Sequence, residues 1–423
     1  MAARRASLGA IFLTVFLDLL GFGLVLPFLA QEARATFHVS AFTGTLLSAV
    51  YSASQFLFIP IWGRLSDRVG RKPVLVWSVL ATALGMAALA GSLVFGSTVA
   101  LLFLARAWSG MATANLGTAS AYIADVTGPE DRAKGMGLIG VAFGLGFILG
   151  PSLGGPLAEI AIHGRTGAVP CIVAACLSLV NFAWIVFGLP ESLPKEARAP
   201  SKRRLTPIDL EALREAFTLP GVATAVLVNF VLIFAFTGME QTFRFFNEDL
   251  FAMGPRDTGY LLAMIGVVAA LVQGGMRQLS KRFTEAQLIR AGSLLQAVAF
   301  TGFCASPVVG KWFLYVSGAV LALGNGLTQP NTSAYVSKRA TKQNQGATLG
   351  VNQSIASLAR TFGPAAGGLL YSAVGARAPY VASGLGMLLA FGLALRLTEA
   401  GVVGAGGERA QRGASPEPVA PAS

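Results

Sequence analysis

The chain is predicted to be an all-α polytopic membrane protein with twelve transmembrane helices in two pseudo-symmetric six-helix halves. Three observations predict this. First, apolar residues make up 54% and charged residues 12% of the 423 residues, about half the charged share of a soluble domain, and mean hydropathy is +0.64. Second, twelve segments are long and apolar enough to span a bilayer, which takes about 20 residues at about 1.5 Å each. Third, Ser120-Ala121-Tyr122 recurs as Ser333-Ala334-Tyr335, and Gly150-Pro-x-x-Gly-Gly155 recurs as Gly363-Pro-x-x-Gly-Gly368, both at an offset of 213 residues. Equal offsets make the second six spans a parallel duplicate of the first, with the site expected between the halves near the midplane.

In chain order the spans are 8–30, 42–62, 74–94, 98–124, 135–158, 168–188, 221–246, 258–279, 286–306, 312–336, 346–371 and 379–397. Arg4 and Arg5 precede the first, as in a signal peptide, but 8–30 is long enough to span and carries Asp18 and Pro27, so it reads as a retained helix. Residues 1–188 form the first half, 189–220 a linker, 221–398 the second half, and 399–423 a tail rich in Gly, Ala, Pro and Ser that is expected to be disordered. Within the linker, Thr206-Pro207-Ile208-Asp209 reads as a helix start. Leu210, Leu213 and Phe217 then mark a short amphipathic helix on the inner membrane surface.

The net charge of +12 does not point to nucleic acid. Of the 32 Lys and Arg, about 24 fall on one set of alternating loops and about 5 on the other. That asymmetry places both termini in the cytoplasm, and a bacterial inner membrane fits best. The densest cluster is Gly63-Arg-Leu-Ser-Asp-Arg-Val-Gly-Arg-Lys-Pro73 between spans 2 and 3, where two glycines and a proline indicate a tight, fixed turn. Cys171, Cys176 and Cys304 lie in apolar runs, so neither a disulfide framework nor a metal site is expected. No phosphate-binding G-x-x-x-x-G-K-[ST] occurs, and the short loops leave no room for a nucleotide domain. An ion gradient must supply the energy, and the membrane potential offers about 2.3 kcal/mol per charge per 100 mV. No cofactor is expected.

Ionisable residues inside spans carry the functional argument. Asp18 lies roughly 15 Å into its helix. A carboxylate there must be paired, face water or hold a proton; it is either a proton-coupling group or a buried packing contact. Arg106 in span 4 cannot shed its charge, and reads as a partner that governs a nearby carboxylate or as a fixed structural pair. Glu240 and Arg244 stand four apart on span 7 and could pair. Glu240 is expected roughly 28 Å along its helix, near the boundary, as an exposed ion pair, a gate or a second proton site. Arg360 on span 11 needs a partner or a water-filled lining, in a substrate-contacting or a structural role. Gln55, Asn115, Asn229, Asn325 and Gln329 are candidates to line the cavity, each equally able to make interhelical hydrogen bonds. Asp125, ending span 4 with Arg132 beyond it, is expected in a charge cluster at the cytoplasmic face.

With these residues in view, the chain resembles the major facilitator superfamily, and within it the tetracycline-efflux-like drug:proton antiporters. Gly63 to Pro73 resembles the family's loop motif between helices 2 and 3, and Arg106 with Gly110 its helix-4 motif. Gly146-Phe-Ile-Leu-Gly150-Pro151-Ser-Leu-Gly154-Gly155 resembles its antiporter motif on helix 5. Leu17-Asp18 with Gly21 and Pro27 is similar to the start of the tetracycline exporters. The resemblance implies a carrier, expected to be monomeric in the lipid bilayer, that opens alternately to each side and exports a small organic molecule in exchange for protons. It also assigns Asp67, Arg68 and Arg71, with Gly63 and Gly70, to a cytoplasmic latch. The second-half counterpart, Arg277 to Thr284, carries Lys281 for Asp67 and Thr284 for Gly70, so a one-sided latch is expected.

Overall fold

The computed structural model describes residues 2–96, 98–127, 132–198, 214, 217–339 and 345–398. The linker helix predicted from Thr206 and the tail from 399 lie outside the described residues. Thirteen α-helices are described: α1 (Ala2–Phe37), α2 (Ala41–Val69), α3 (Arg71–Phe95), α4 (Val99–Ala112), α5 (Leu116–Val126), α6 (Arg132–Ala158), α7 (Ala168–Gly188), α8 (Val222–Phe251), α9 (Pro255–Arg282), α10 (Glu285–Val309), α11 (Trp312–Arg339), α12 (Gln345–Ala373) and α13 (Ala378–Ala394). The twelve predicted spans map onto them, with one difference. Span 4 is broken into α4 and α5 at Thr113–Asn115. No proline causes the break. The Thr113 hydroxyl bonds back to the Ser109 carbonyl at 2.9 Å, and such competition with the helical ladder bends helices.

The repeat motifs explain how each half closes. In the first, the Tyr122 hydroxyl donates to the carbonyl of Pro190 at 2.9 Å; in the second, that of Tyr335 donates to Thr398 at 3.2 Å. Each tyrosine thereby ties a half's fourth span to the chain leaving its sixth. The glycine motifs have two jobs. A Cβ on Gly150 would stand 2.6 Å from the Gly23 backbone of α1, and one on Gly367 would stand 2.2 Å from the Gly238 carbonyl of α8. These contacts lie within a half. The last glycine crosses over: Gly155 abuts Pro255 and Gly259 of α9, and Gly368 abuts Phe42 and Thr45 of α2. Only a residue without a side chain permits backbones this close.

These crossings seal one end only. Along α6 and α9 the close contact continues at Gly266 against Ile148, but nothing lies within 4 Å of where a Cβ would sit on Gly144, Gly274 or Gly275. Gly63 and Gly350, toward the basic-loop ends of α2 and α12, are open in the same way. The two halves form a V that is closed opposite the basic loop and parts toward it.

Candidate functional site

Asp18 faces Asn115 at the start of α5 and Asn181 of α7, within the first half. Its two oxygens accept from the amides of Asn115 and Asn181, both at 3.2 Å. Asn115 also donates to Ser78 at 2.8 Å, and Asn181 to the Thr14 carbonyl at 3.0 Å. The break after α4 places Asn115 here. Among the described residues no cation stands within ion-pair distance of Asp18. Neutral amides orient the carboxylate without supplying a counter-charge, so it can give up its charge by taking a proton or neutralise it against a cation.

Arg106 does not reach Asp18. It is fully buried, stacks 4.3 Å over the ring of Tyr51 and donates to the Leu47 carbonyl at 3.4 Å. Its Nη2 has no partner. Gly110 makes this stacking possible, since a Cβ there would stand 2.2 Å from the Tyr51 carbonyl. Tyr51 is the intermediary: it packs against Phe22, one turn beyond Asp18, at 5.4 Å between centroids, and its hydroxyl bonds to Thr113 at 2.6 Å.

In the second half, Arg244 pairs with Glu248 at 2.7 Å and with the Met253 carbonyl at 2.9 Å, not with Glu240. Helical spacing allows either carboxylate, and the Met253 carbonyl draws the guanidinium toward the closed end. Helix α8 runs on to Phe251, about three turns beyond Glu240. Its electrostatic partner is Arg360 on α12. The neighbouring Gln241 accepts from Ser48 of the opposite half at 2.6 Å, buried at the apex of the V. Of the remaining cavity candidates, Asn229 is spent on a buried bond to Asn352 at 3.0 Å, and Gln55 donates to the Thr113 carbonyl at 3.4 Å. Asn325 is half-buried and Gln329 exposed.

At the basic-loop end, Arg71 is the hub. It binds Asp67 at 2.5 Å, Asp125 at 3.1 Å and Ser66 at 2.6 Å, and its backbone N–H donates to Glu191 at 2.9 Å. Gly70 has φ 109°, and a Cβ on it would stand 2.3 Å from the Glu191 carboxylate, so both conformation and space require glycine. These partners belong to the first half and to the start of the linker, and none to the second half. Arg68 is exposed, and the Arg132 side chain lies outside the described residues. The second half fastens its corresponding end differently: Thr284 caps α10 in a capping box with Gln287, and Glu285 pairs with Lys338.

The closed end holds polar residues that the spacing of the sequence did not single out. Arg34 pairs with Asp249 across the halves at 3.0 Å, and Tyr371 donates to the same carboxylate at 2.8 Å. Glu32 is buried, accepts from Thr166 at 2.9 Å and packs on Gly167.

Two pseudo-symmetric helical halves around a polar cleft, closed at one end, define a polytopic membrane carrier. Residues 11–313 and 279–421 match the Major Facilitator Superfamily, and the chain belongs to that family. It is 32% identical over 371 residues to the class C tetracycline resistance protein of Escherichia coli, covering 85% of this chain and 88% of that protein. It is 28% identical to multidrug resistance protein 2 of Bacillus subtilis, covering 90% and 92%. Among solved structures, the human organic anion transporter MFSD10 (TETRAN) matches with a TM-score of 0.67 at 25% identity, covering 92% of this chain and 99% of that one. A bacterial homolog of the human lysosomal transporter Spinster shares the fold, with a TM-score of 0.75 at 16% identity.

Proposed function

We propose that the protein is a proton-coupled antiporter that exports a small amphipathic organic compound across the cell membrane by alternating access. The carrying observation is Asp18, a mid-span carboxylate held only by neutral amides. Such a group alternates between a protonated and a charged form without breaking a fixed ion pair. Proton exchange as the cleft changes sides would couple the gradient to export. With the basic loop in the cytoplasm, the closed end faces outward and the V opens inward, ready to load substrate. Relatives named for tetracycline and multidrug resistance support export of an organic compound. Arg106, through Tyr51, and Glu240 are the further groups proposed to take part in coupling. The Arg71 cluster is proposed to engage the second half when the cytoplasmic end closes, and the third glycine of each motif to open and close the outer seam.

The test is transport by purified protein in proteoliposomes under an imposed pH gradient, with tetracycline as the first compound of a panel. Asp18→Asn should abolish gradient-driven accumulation, while elution in size-exclusion chromatography stays that of the wild type. Full gradient-driven transport by the variant would refute coupling through Asp18, and gradient-independent transport by both proteins would indicate a facilitator.

A further inference from the structure

Arg106, Arg244 and Arg360 lie away from the basic-loop ends of their spans, and their surroundings differ. Arg106 is buried under Tyr51, and Arg244 is tied to Glu248 and the Met253 carbonyl. Arg360 is half-buried, and none of the described residues accepts a hydrogen bond from its guanidinium. A guanidinium offers five donors, and one inside a membrane must face water, a counter-charge or a ligand. Its one charged neighbour is Glu240 on α8, which lies beyond ion-pair distance among the described residues. The close packing of Gly363 on Thr237 and Gly238 brings the two helices together one turn beyond Arg360. The Ser48–Gln241 bond beside Glu240 forms the roof of the cleft. Arg360 therefore stands under that roof with its donors open.

We propose that Arg360 docks an anionic group of the transported organic molecule, a carboxylate or acidic enol, with Glu240 as its counter-charge while the cleft is empty. Arg360 keeps its charge under all physiological conditions whereas a carboxylate can be neutralised, so the permanent charge at this position is positive and selects an anion. Two parallel N–H donors suit a planar oxyanion. Asp18, in the other half, stays available for the proton. The assignment rests on reading the cleft as the transport path.

Binding is measured without a gradient, so its failure and the failure of proton-driven export are told apart. Fluorescein, an organic anion, is titrated against the purified full-length protein and followed by fluorescence anisotropy. Arg360→Gln should weaken binding at least about tenfold, as expected for loss of a charge-assisted hydrogen bond. Arg360→Lys should retain more affinity than Arg360→Gln because it keeps the charge. Glu240→Gln, which removes the competing carboxylate, should bind fluorescein more tightly than the wild type. Absence of fluorescein binding by the wild type, equal binding by Arg360→Gln, or binding by Glu240→Gln no tighter than that of the wild type would each overturn the assignment. The Glu240→Gln arm decides the matter should the Arg360 variants fail to fold.

Discussion

Arg34→Ala should shift the carrier toward the state open at the end opposite the basic loop. Arg34 belongs to the first half, and both of its partners there belong to the second. Its guanidinium pairs with Asp249 at 3.0 Å, and the side chains are 36% and 33% exposed. At that exposure an ion pair contributes about 0.2–1 kcal/mol. The same guanidinium lies 5.5 Å from the centre of the Phe245 ring, and such a cation–π contact adds about 0.5–1 kcal/mol. Truncation removes both, together about 0.7–2 kcal/mol, or roughly a 3–30-fold change in the ratio of the two states. Spin labels on cysteines introduced at His163 and Gly375, on separate halves in a background lacking the native cysteines, would report the distance by double electron–electron resonance. The longer-distance population should rise by that factor, and Asp249→Asn, which leaves the cation–π contact in place, should shift it less. An unchanged distribution in Arg34→Ala would refute the view that these contacts hold the end closed.

Gly155→Val should prevent the ends opposite the basic loop from closing, because a Cβ at that position would stand 2.6 Å from the Pro255 carbonyl. Proteoliposome transport should be lost, whereas Gly117→Ala, with nothing within 4 Å, should transport normally. Arg71→Ala should lower the melting temperature in detergent far more than Asp67→Asn. Arg71 is 9% exposed and leaves Asp125 and Ser66 without their cation, a loss approaching about 3 kcal/mol. Asp67 is 51% exposed, and its loss should cost under about 1 kcal/mol.

Much of the architecture was legible because it is one-dimensional. Span length, the charge asymmetry of the loops and the offset of 213 residues require no knowledge of which faces meet. The offset also located both glycine seams. The partners of the ionisable groups were less legible, because they depend on helix rotation and crossing. Spacing allowed Arg244 to pair with Glu240 or Glu248, and only the turn at Met253 chose between them. Arg106 lies in the same half as Asp18, yet the close approach at Gly110 puts Tyr51 in its path. Asn181 carried a signal that could have been used, as the lone amide in an otherwise apolar span. Gln31 and Glu32 were passed over because the first helix continues past the predicted end of its span, to Phe37, so residues assigned to a loop are buried.

The seam of backbone on glycine at the closed end has a thermodynamic consequence. Glycine has no rotamers to freeze, so bringing Gly155 onto α9 and Gly368 onto α2 costs almost none of the side-chain entropy that ordinary helix interfaces lose on packing. The same contacts displace little apolar surface from water, so they contribute little to heat capacity. The balance between the two states should then depend only weakly on temperature. It would be adjusted instead by polar contacts across the halves, among them Ser48 with Gln241 and Arg34 with Asp249. Such a carrier could keep nearly the same resting bias in cold and warm surroundings, and a single substitution among these contacts could reset it.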